Sequence, residues 1–341
     1  MTRPLIIAAA VAVITATVAA TWLSFLMSVP VGIYPDVAIE VPAGQSPTTV
    51  AHRLEEEGVI RSARAFLTII RFRGRDRQIR YGTHVFSGAM SPTQVLLELT
   101  RPPTDTIAVT IPEGLSWTEV GRLLEKAGVT TAVQYEKAVC NPALIAMAKA
   151  AESANCAEGY LFPDTYNLTP GMSALAIAHM QLKRFGQVIG ELIGEAGLTE
   201  SGGDNYQQLV RQTVILASIV EKETSRSDER GLVASVFHNR LARRMRLQAD
   251  PTVIYGLVSS GQPYTGNLQR VHLQKPGPYN TYKLAGLPAG PISNPGREAL
   301  AAALEPQESD YLFFVARRDG THAFSPTLAE HNRAVRKHQL R

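Results

Sequence analysis

Tyr206-Gln-Gln-Leu-Val-Arg-Gln-Thr-Val-Ile-Leu-Ala-Ser-Ile-Val-Glu-Lys-Glu223 is the segment on which the reading of this chain turns. Leu209, Val210, Thr213, Val214, Ile215, Leu216, Ala217, Ile219 and Val220 leave it apolar nearly all round. That pattern predicts a helix buried on most sides, with Glu221, Lys222 and Glu223 at its C-terminal end. Residues two apart on a helix diverge by roughly 200°, so the two glutamates cannot work as an acid/base pair on one face. Glu221 continues the row of Val214, Ala217 and Ser218, which aims it along the more buried side. Desolvation there raises a carboxyl's pKa and keeps it protonated as a general acid. The plainer reading, a glutamate in a salt bridge at a helix end, fits the same pattern.

Around this helix, apolar periodicity predicts others near 143–151, 175–193, 231–244 and 328–340, and a hairpin over 311–325 turning on Arg318-Asp319-Gly320. Asp250-Pro251 ahead of an apolar run reads as an N-cap with proline at the first helical position. Gln248, just upstream, has no such local role. Pro276–Tyr282 and Gly286–Ile292 are stiff, turn-rich stretches that either present Asn280 and the tyrosine rings to a polar ligand such as a sugar or form a well-packed loop.

Further upstream, a weak repeat appears at an offset of about 70 residues. Val37–Ser46 followed by Leu54 and Gly58 returns as Ile107–Ser116 followed by Leu124 and Gly128. Each copy reads strand, Pro-x-Gly turn, capped helix, glycine stop; in the second, Ser116 and Glu119 make a capping box. Ala63–Arg71 reads as helix and Gln78–Phe86 as strand, so residues 37–104 form a small α+β module that ends at Pro102-Pro103-Thr104.

The N-terminus differs in kind. Leu5–Val31 carries no charge, and as a helix it would be about 40 Å long, more than the ~30 Å hydrocarbon core of a bilayer. Arg3 precedes it and no Lys or Arg follows until Arg53, so the predicted single span leaves the rest of the chain outside the cytoplasm. The expected organisation is a short N-terminus and transmembrane helix over 1–34, a module over 35–104 and a larger α+β domain over 105–341.

Composition narrows the chemistry. The 341 residues include 45% hydrophobic ones, enough for a real core, and a net charge of +4 without a basic tail argues against nucleic acid. Two cysteines, Cys140 and Cys156, exclude a disulfide-dense scaffold; they either pair or sit as small buried thiols. No H-E-x-x-H, G-x-G-x-x-G, G-K-[ST] or G-x-S-x-G occurs, so zinc-hydrolase, nucleotide and serine-hydrolase readings lack a motif, and no metal or cofactor is expected.

Six stretches taken together carry a resemblance: Glu158–Tyr166, Leu216–Thr224, Val233–Leu241, Met245–Val253, Tyr279–Tyr282 and Gly286–Ile292. With the hairpin at Tyr311–Ala316 and Glu330-His-Asn332, they resemble the YceG-like endolytic murein transglycosylases over roughly residues 105–341. The resemblance implies a one-span inner-membrane protein with a LysM-like module at 35–104 and a catalytic domain in the periplasm. It implies cleavage of the MurNAc–GlcNAc β-1,4 bond in nascent peptidoglycan strands, without water, leaving 1,6-anhydroMurNAc ends. The family's glutamate falls on Glu221, which would act as acid and then base, so one carboxyl suffices. Gln248, Asp250, Asn280 and Tyr282 are expected to line the sugar cleft, and penicillin-binding synthases are the implied partners. Two other functions fit the sequence: a glycoside hydrolase of the same polymer, with Asp250 or Asp164 as second carboxylate, and a non-enzymatic wall-binding scaffold.

Overall fold

The structure is a computed structural model that describes residues 37–339, except 43, 76–77, 87–89, 103–105, 149–155, 199–203 and 263, together with Ile14, Thr15, Thr17 and Thr21. The expected membrane span therefore lies almost wholly outside the described residues, among which no helix is long and apolar enough to cross a membrane. Helices and small antiparallel sheets alternate, as expected of a mixed α+β protein, and the chain divides into two compact units.

The first unit holds the residues through Ala108 together with Asn167–His179. Strand β1 (Val37–Val41) is followed by helices α1 (Pro47–Glu56) and α2 (Ala63–Phe72), strand β2 (Gly82–Phe86) and helix α3 (Pro92–Thr100). β1 and β2 run antiparallel, from Val37 opposite Phe86 to Val41 opposite Gly82. The strand expected from Gln78 thus begins only at Gly82. Serine hydroxyls cap all three helices: Ser46 accepts from Thr49 N–H, Ser62 from Ala65 N–H, and Ser91 forms a capping box with Gln94. One side of each element closes a common core of Ile39, Leu54, Phe66, Ile70, Phe86, Leu96 and Leu99.

The second unit comprises Val109–Tyr166 and Met180–Arg341. The elements wholly or partly in it are β3 (Ile107–Thr110), α4 (Trp117–Lys126), α5 (Ala132–Val139), α6 (Pro142–Met147), β4 (Thr165–Leu168) and α7 (Ala174–Glu195), with β3, β4 and α7 divided between the units. Then come α8 (Asp204–Glu223), α9 (Ser227–Ala242), α10 (Asp250–Ser259), α11 (Arg270–Gln274), α12 (Arg297–Leu304), the strands β5 (Phe313–Ala316) and β6 (His322–Ser325), and α13 (Leu328–His338). The predicted capping box at Ser116 and Glu119 is present, and Gly128 follows α4 at a φ of 72°. The predicted hairpin forms in register, Phe313 opposite Ser325 and Ala316 opposite His322. Cys140, at the end of α5, is disulfide-bonded to Cys156.

α8 is the axis of this unit. Val214–Val220 are buried throughout, and the helix packs against α9, α10 and α12. Ser218, inside that apolar stretch, is spent locally: its hydroxyl donates to Ile215 C=O and accepts from Ile292 N–H, which moors the Gly286–Ile292 stretch to the helix. Gly159 fits only as glycine, because its φ is 85° and a Cβ would strike Pro291 and Val214.

Candidate active site

The two glutamates at the end of α8 face different surroundings. The Glu221 side chain is 6% exposed, and both its oxygens are engaged. Oε1 accepts from Arg230 Nη2 at 3.0 Å and Oε2 from the Gly296 backbone N–H at 3.0 Å. Arg230, on α9, also donates to Glu298 Oε2 at 2.6 Å and Glu113 Oε2 at 3.4 Å, so one buried guanidinium gathers three carboxylates. A Cβ at Gly296 would meet only the end of the flexible Glu113 side chain, which is 44% exposed and would have to swing aside. Burial raises the Glu221 pKa, as the helix-face arithmetic predicts; the Gly296 N–H and Arg230 work against the rise, while Glu113 and Glu298 add to it. The ion pair that the plainer reading of the sequence describes is thus present as well.

Glu223 has no hydrogen bond or ion pair among the described residues, and it is half-buried. Burial, reinforced by the nearby Asp250 carboxylate and opposed by Arg240, pushes its pKa up to about 7. That is the range in which one carboxyl can both give and take a proton near neutrality. Glu221 thus lies on the more buried side, as its helix row predicts, and on so thoroughly buried a helix the Glu223 face is partly covered as well.

Of the expected sugar-cleft residues, Asp250 and Tyr282 stand near Glu223, and Gln248 lies two positions before Asp250. Asp250 is not an N-cap: α10 starts at Asp250, Ala249 holds the cap position, and the carboxylate accepts from Tyr282 Oη at 2.6 Å. Gln248 is exposed and holds a left-handed φ of 50°, a strain that glutamine tolerates only where its neighbours enforce it. They do so from two sides. Gln248 N–H donates to Thr281 C=O, and Ala249 N–H to Thr281 Oγ1. Arg240, from α9, donates to the carbonyls of Leu247 and Leu312, each at 2.7 Å, with its guanidinium 5.1 Å over the Phe313 ring.

Asn280 stands apart from these three. Its Nδ2 donates to the carbonyls of His272, Leu273 and Lys275, and its Oδ1 accepts from Tyr282 N–H. The amide is consumed in shaping the loop, and its effect on the site is to set Tyr282. Sequence periodicity does not single out Glu223, Arg230 or Arg240, although two arginines ten apart in α9 are a legible sign of buried charge.

A buried third carboxyl, Glu158, lies on the other side of α10. Its Oε1 accepts from Trp117 N–H and Asn294 Nδ2, and its Oε2 is bonded to Tyr255 Oη at 3.1 Å. Burial, only partly offset by these donors, raises its pKa to about 8, so it is a neutral acid at pH 7. Trp117, Glu158 and Tyr255 belong to the wall of a cleft of ≈ 590 Å³. Among the described residues no cluster of His, Cys, Asp and Glu is arranged to hold a metal ion.

An α+β protein with a buried helix tipped by two carboxyls of raised pKa beside a clamped, polar loop is the class that fold and site define. The chain belongs to the YceG-like family, whose model matches residues 39–337. It is 30% identical over 321 residues to an endolytic murein transglycosylase of Bacillus subtilis (strain 168), covering 89% of this chain and 84% of that one. It is 26% identical to an endolytic murein transglycosylase of Streptococcus pneumoniae (strain ATCC BAA-255 / R6), covering 89% of this chain and 58% of that longer one. Among solved structures, a YceG-like protein of Listeria monocytogenes matches with a TM-score of 0.56 and 30% identity, over 88% of this chain and 99% of that one.

Proposed function

We propose that this protein is a membrane-anchored endolytic murein transglycosylase. It cuts the MurNAc–GlcNAc β-1,4 bond within peptidoglycan strands and closes the MurNAc 6-hydroxyl onto the anomeric carbon, leaving a 1,6-anhydroMurNAc end. Family membership and the names of the relatives support the reaction class. One observation carries the mechanism: at the tip of α8 a half-buried carboxyl, Glu223, is free of partners, titrates near neutrality and has Asp250 beside it.

The resemblance puts the acid/base on Glu221; the geometry favours its neighbour. Glu221 would have to leave Arg230 and Gly296 before it could reach a glycosidic oxygen, and leaving would strand a buried arginine. Glu223 has no such bond to break. In the proposed cycle the protonated Glu223 gives its proton to the leaving oxygen as the glycosidic bond opens. The resulting carboxylate then takes the proton of the 6-hydroxyl as its oxygen bonds to the anomeric carbon. The proton lost in the first half is regained in the second, so no water is consumed. Gln248 and Asp250 with its Tyr282 partner form the polar wall against the sugar, and Asn280 positions Tyr282.

A second reading, hydrolysis, is favoured by the presence of that same Asp250, because a second carboxylate could activate water. Digestion of purified sacculi followed by mass spectrometry of the released glycans separates the two. Anhydro ends are expected; products heavier by one water would establish the hydrolase.

The proposed location is the inner membrane, single-pass, with the second unit in the periplasm. The uncharged Leu5–Val31 stretch behind Arg3 and the Cys140–Cys156 disulfide, a bond of oxidising compartments, support it. The LysM-like character of residues 35–104 is a further proposal that rests on their strand–helix–helix–strand order. Penicillin-binding synthases as partners rest on the resemblance alone.

A further inference from the structure

The ≈ 590 Å³ cleft is not explained by the proton-transfer site. None of Glu221, Glu223, Gln248, Asp250 and Tyr282 lines it. It opens farther along α10, where Tyr255 lies five residues beyond Asp250, a rise of about 7.5 Å. Its volume lies in the range of sites that bury a ligand of several hundred daltons.

The lining says what kind of ligand. Two walls are aromatic: Trp117, and the pair Tyr255 and Tyr279 packed edge to face at 4.9 Å. Two exposed cations stand at it without an acidic partner among the described residues. Arg211 has no ion pair, and Lys275 donates to the neutral Gln262 at 3.2 Å. Among the described residues the one acidic group in the lining is Glu158, held neutral by burial, so these residues give the cleft a positive charge. Deeper in, Tyr160 is 1% exposed and its phenol oxygen has no hydrogen-bond partner among the described residues, so it is a polar group available to a ligand.

From this arrangement we infer that the cleft is a second binding site for a short anionic peptide with small apolar side chains, the carboxylates meeting Arg211 and Lys275 and the methyl groups the aromatic walls. The inference rests on the proposed function in one respect: a glycan strand of murein bears such peptides as branches, so a cleft one step along α10 from the acid would hold the branch while the strand is cut. A bare oligosaccharide would leave both cations unanswered, and hence the site selects strands that still carry their peptides.

Trp117 makes the test direct, since the chain has only one other tryptophan, Trp22, which is replaced by phenylalanine to clear the background. The full-length Trp22→Phe protein in detergent is titrated with N-acetyl-L-alanyl-γ-D-glutamyl-L-alanine, a dianionic tripeptide, with the same peptide amidated at its carboxyls, and with chitotetraose. The tripeptide should change the Trp117 emission saturably. Affinity should fall about tenfold for the amidated peptide, and equally in Arg211→Gln, an exposed substitution that spares the fold. Chitotetraose should not compete. No saturable change with the tripeptide, or equal affinity for its amidated form, overturns the inference. Binding is read without turnover: a protein that binds the tripeptide but leaves sacculi uncut refutes the proposed reaction and keeps the cleft, and one that cuts sacculi without binding the tripeptide does the reverse.

Discussion

The Tyr282 phenol donates to the Asp250 carboxylate at 2.6 Å across 32 residues of sequence, and this pair stands beside Glu223. The bond keeps Asp250 in one orientation. A fixed negative charge next to a half-buried carboxyl holds that carboxyl's proton on. Burial is the larger cause of the raised Glu223 pKa, and the Asp250 carboxylate adds to it.

Asp250→Asn should move the pH profile in a known direction. Without the neighbouring anion, and with Arg240 still in place, the Glu223 pKa falls below about 7. A general acid is active only while protonated, so the basic limb of kcat/KM shifts to lower pH. A profile with its basic limb unmoved would mean that Asp250 does not act on Glu223.

Arg230→Met tests the other glutamate. Removing one partner of a buried ion pair strands the other charge, at a cost of about 3–5 kcal/mol of stability near pH 7. Chemical denaturation should show that loss, and adding Glu221→Gln to the same protein should recover much of it. A single variant as stable as wild type would deny Glu221 its structural role.

Glu158 makes a signed prediction for stability. Its folded-state pKa of about 8 lies above the ordinary 4.5, so the folded protein binds the extra proton. The stability tied to that proton is fully present below about 4.5 and is lost as pH rises towards 8. Glu158→Gln, which cannot ionise, should therefore gain in melting temperature relative to wild type between pH 5 and pH 8. A difference that stays constant across this range would show that Glu158 is charged in the fold.

Reduction of the Cys140–Cys156 bond should lower stability by about 3 kcal/mol, the amount expected for a loop of this length, since the sequence separation is 16. Unfolding with and without reductant measures it, and Cys140→Ser with Cys156→Ser should reproduce the reduced protein.

Much of this was legible in the sequence where short-range rules operate. Capping residues, glycine stops and apolar periodicity placed α4, α8, the β5–β6 hairpin and α13 to within a few residues, because each is specified by its own segment. Asp250 shows where such rules stop. Asp-Pro before an apolar run is a sound cap signal, but a phenol 32 positions away competes for the carboxylate, and helix α10 starts one residue earlier. Glu221 and Glu223 show the same limit on the site: helix arithmetic separates their faces, yet only long-range packing reveals that Arg230 is hydrogen-bonded to one while the other has no hydrogen bond or ion pair among the described residues. The aromatic cleft was invisible for a related reason, since Trp117, Glu158, Tyr255 and Tyr279 come from four distant segments.

The central claim is that proton transfer belongs to Glu223 and that Glu221 is structural. Purified Glu223→Gln and Glu221→Gln, each checked for folding by thermal denaturation, should be assayed on sacculi for anhydro-ended products. Glu223→Gln should melt like wild type and lose activity by at least about 10²-fold, the usual worth of a general acid/base. Glu221→Gln should lose stability and keep measurable turnover at temperatures where it is folded. A folded, inactive Glu221→Gln beside an active Glu223→Gln would contradict the account and return the chemistry to Glu221.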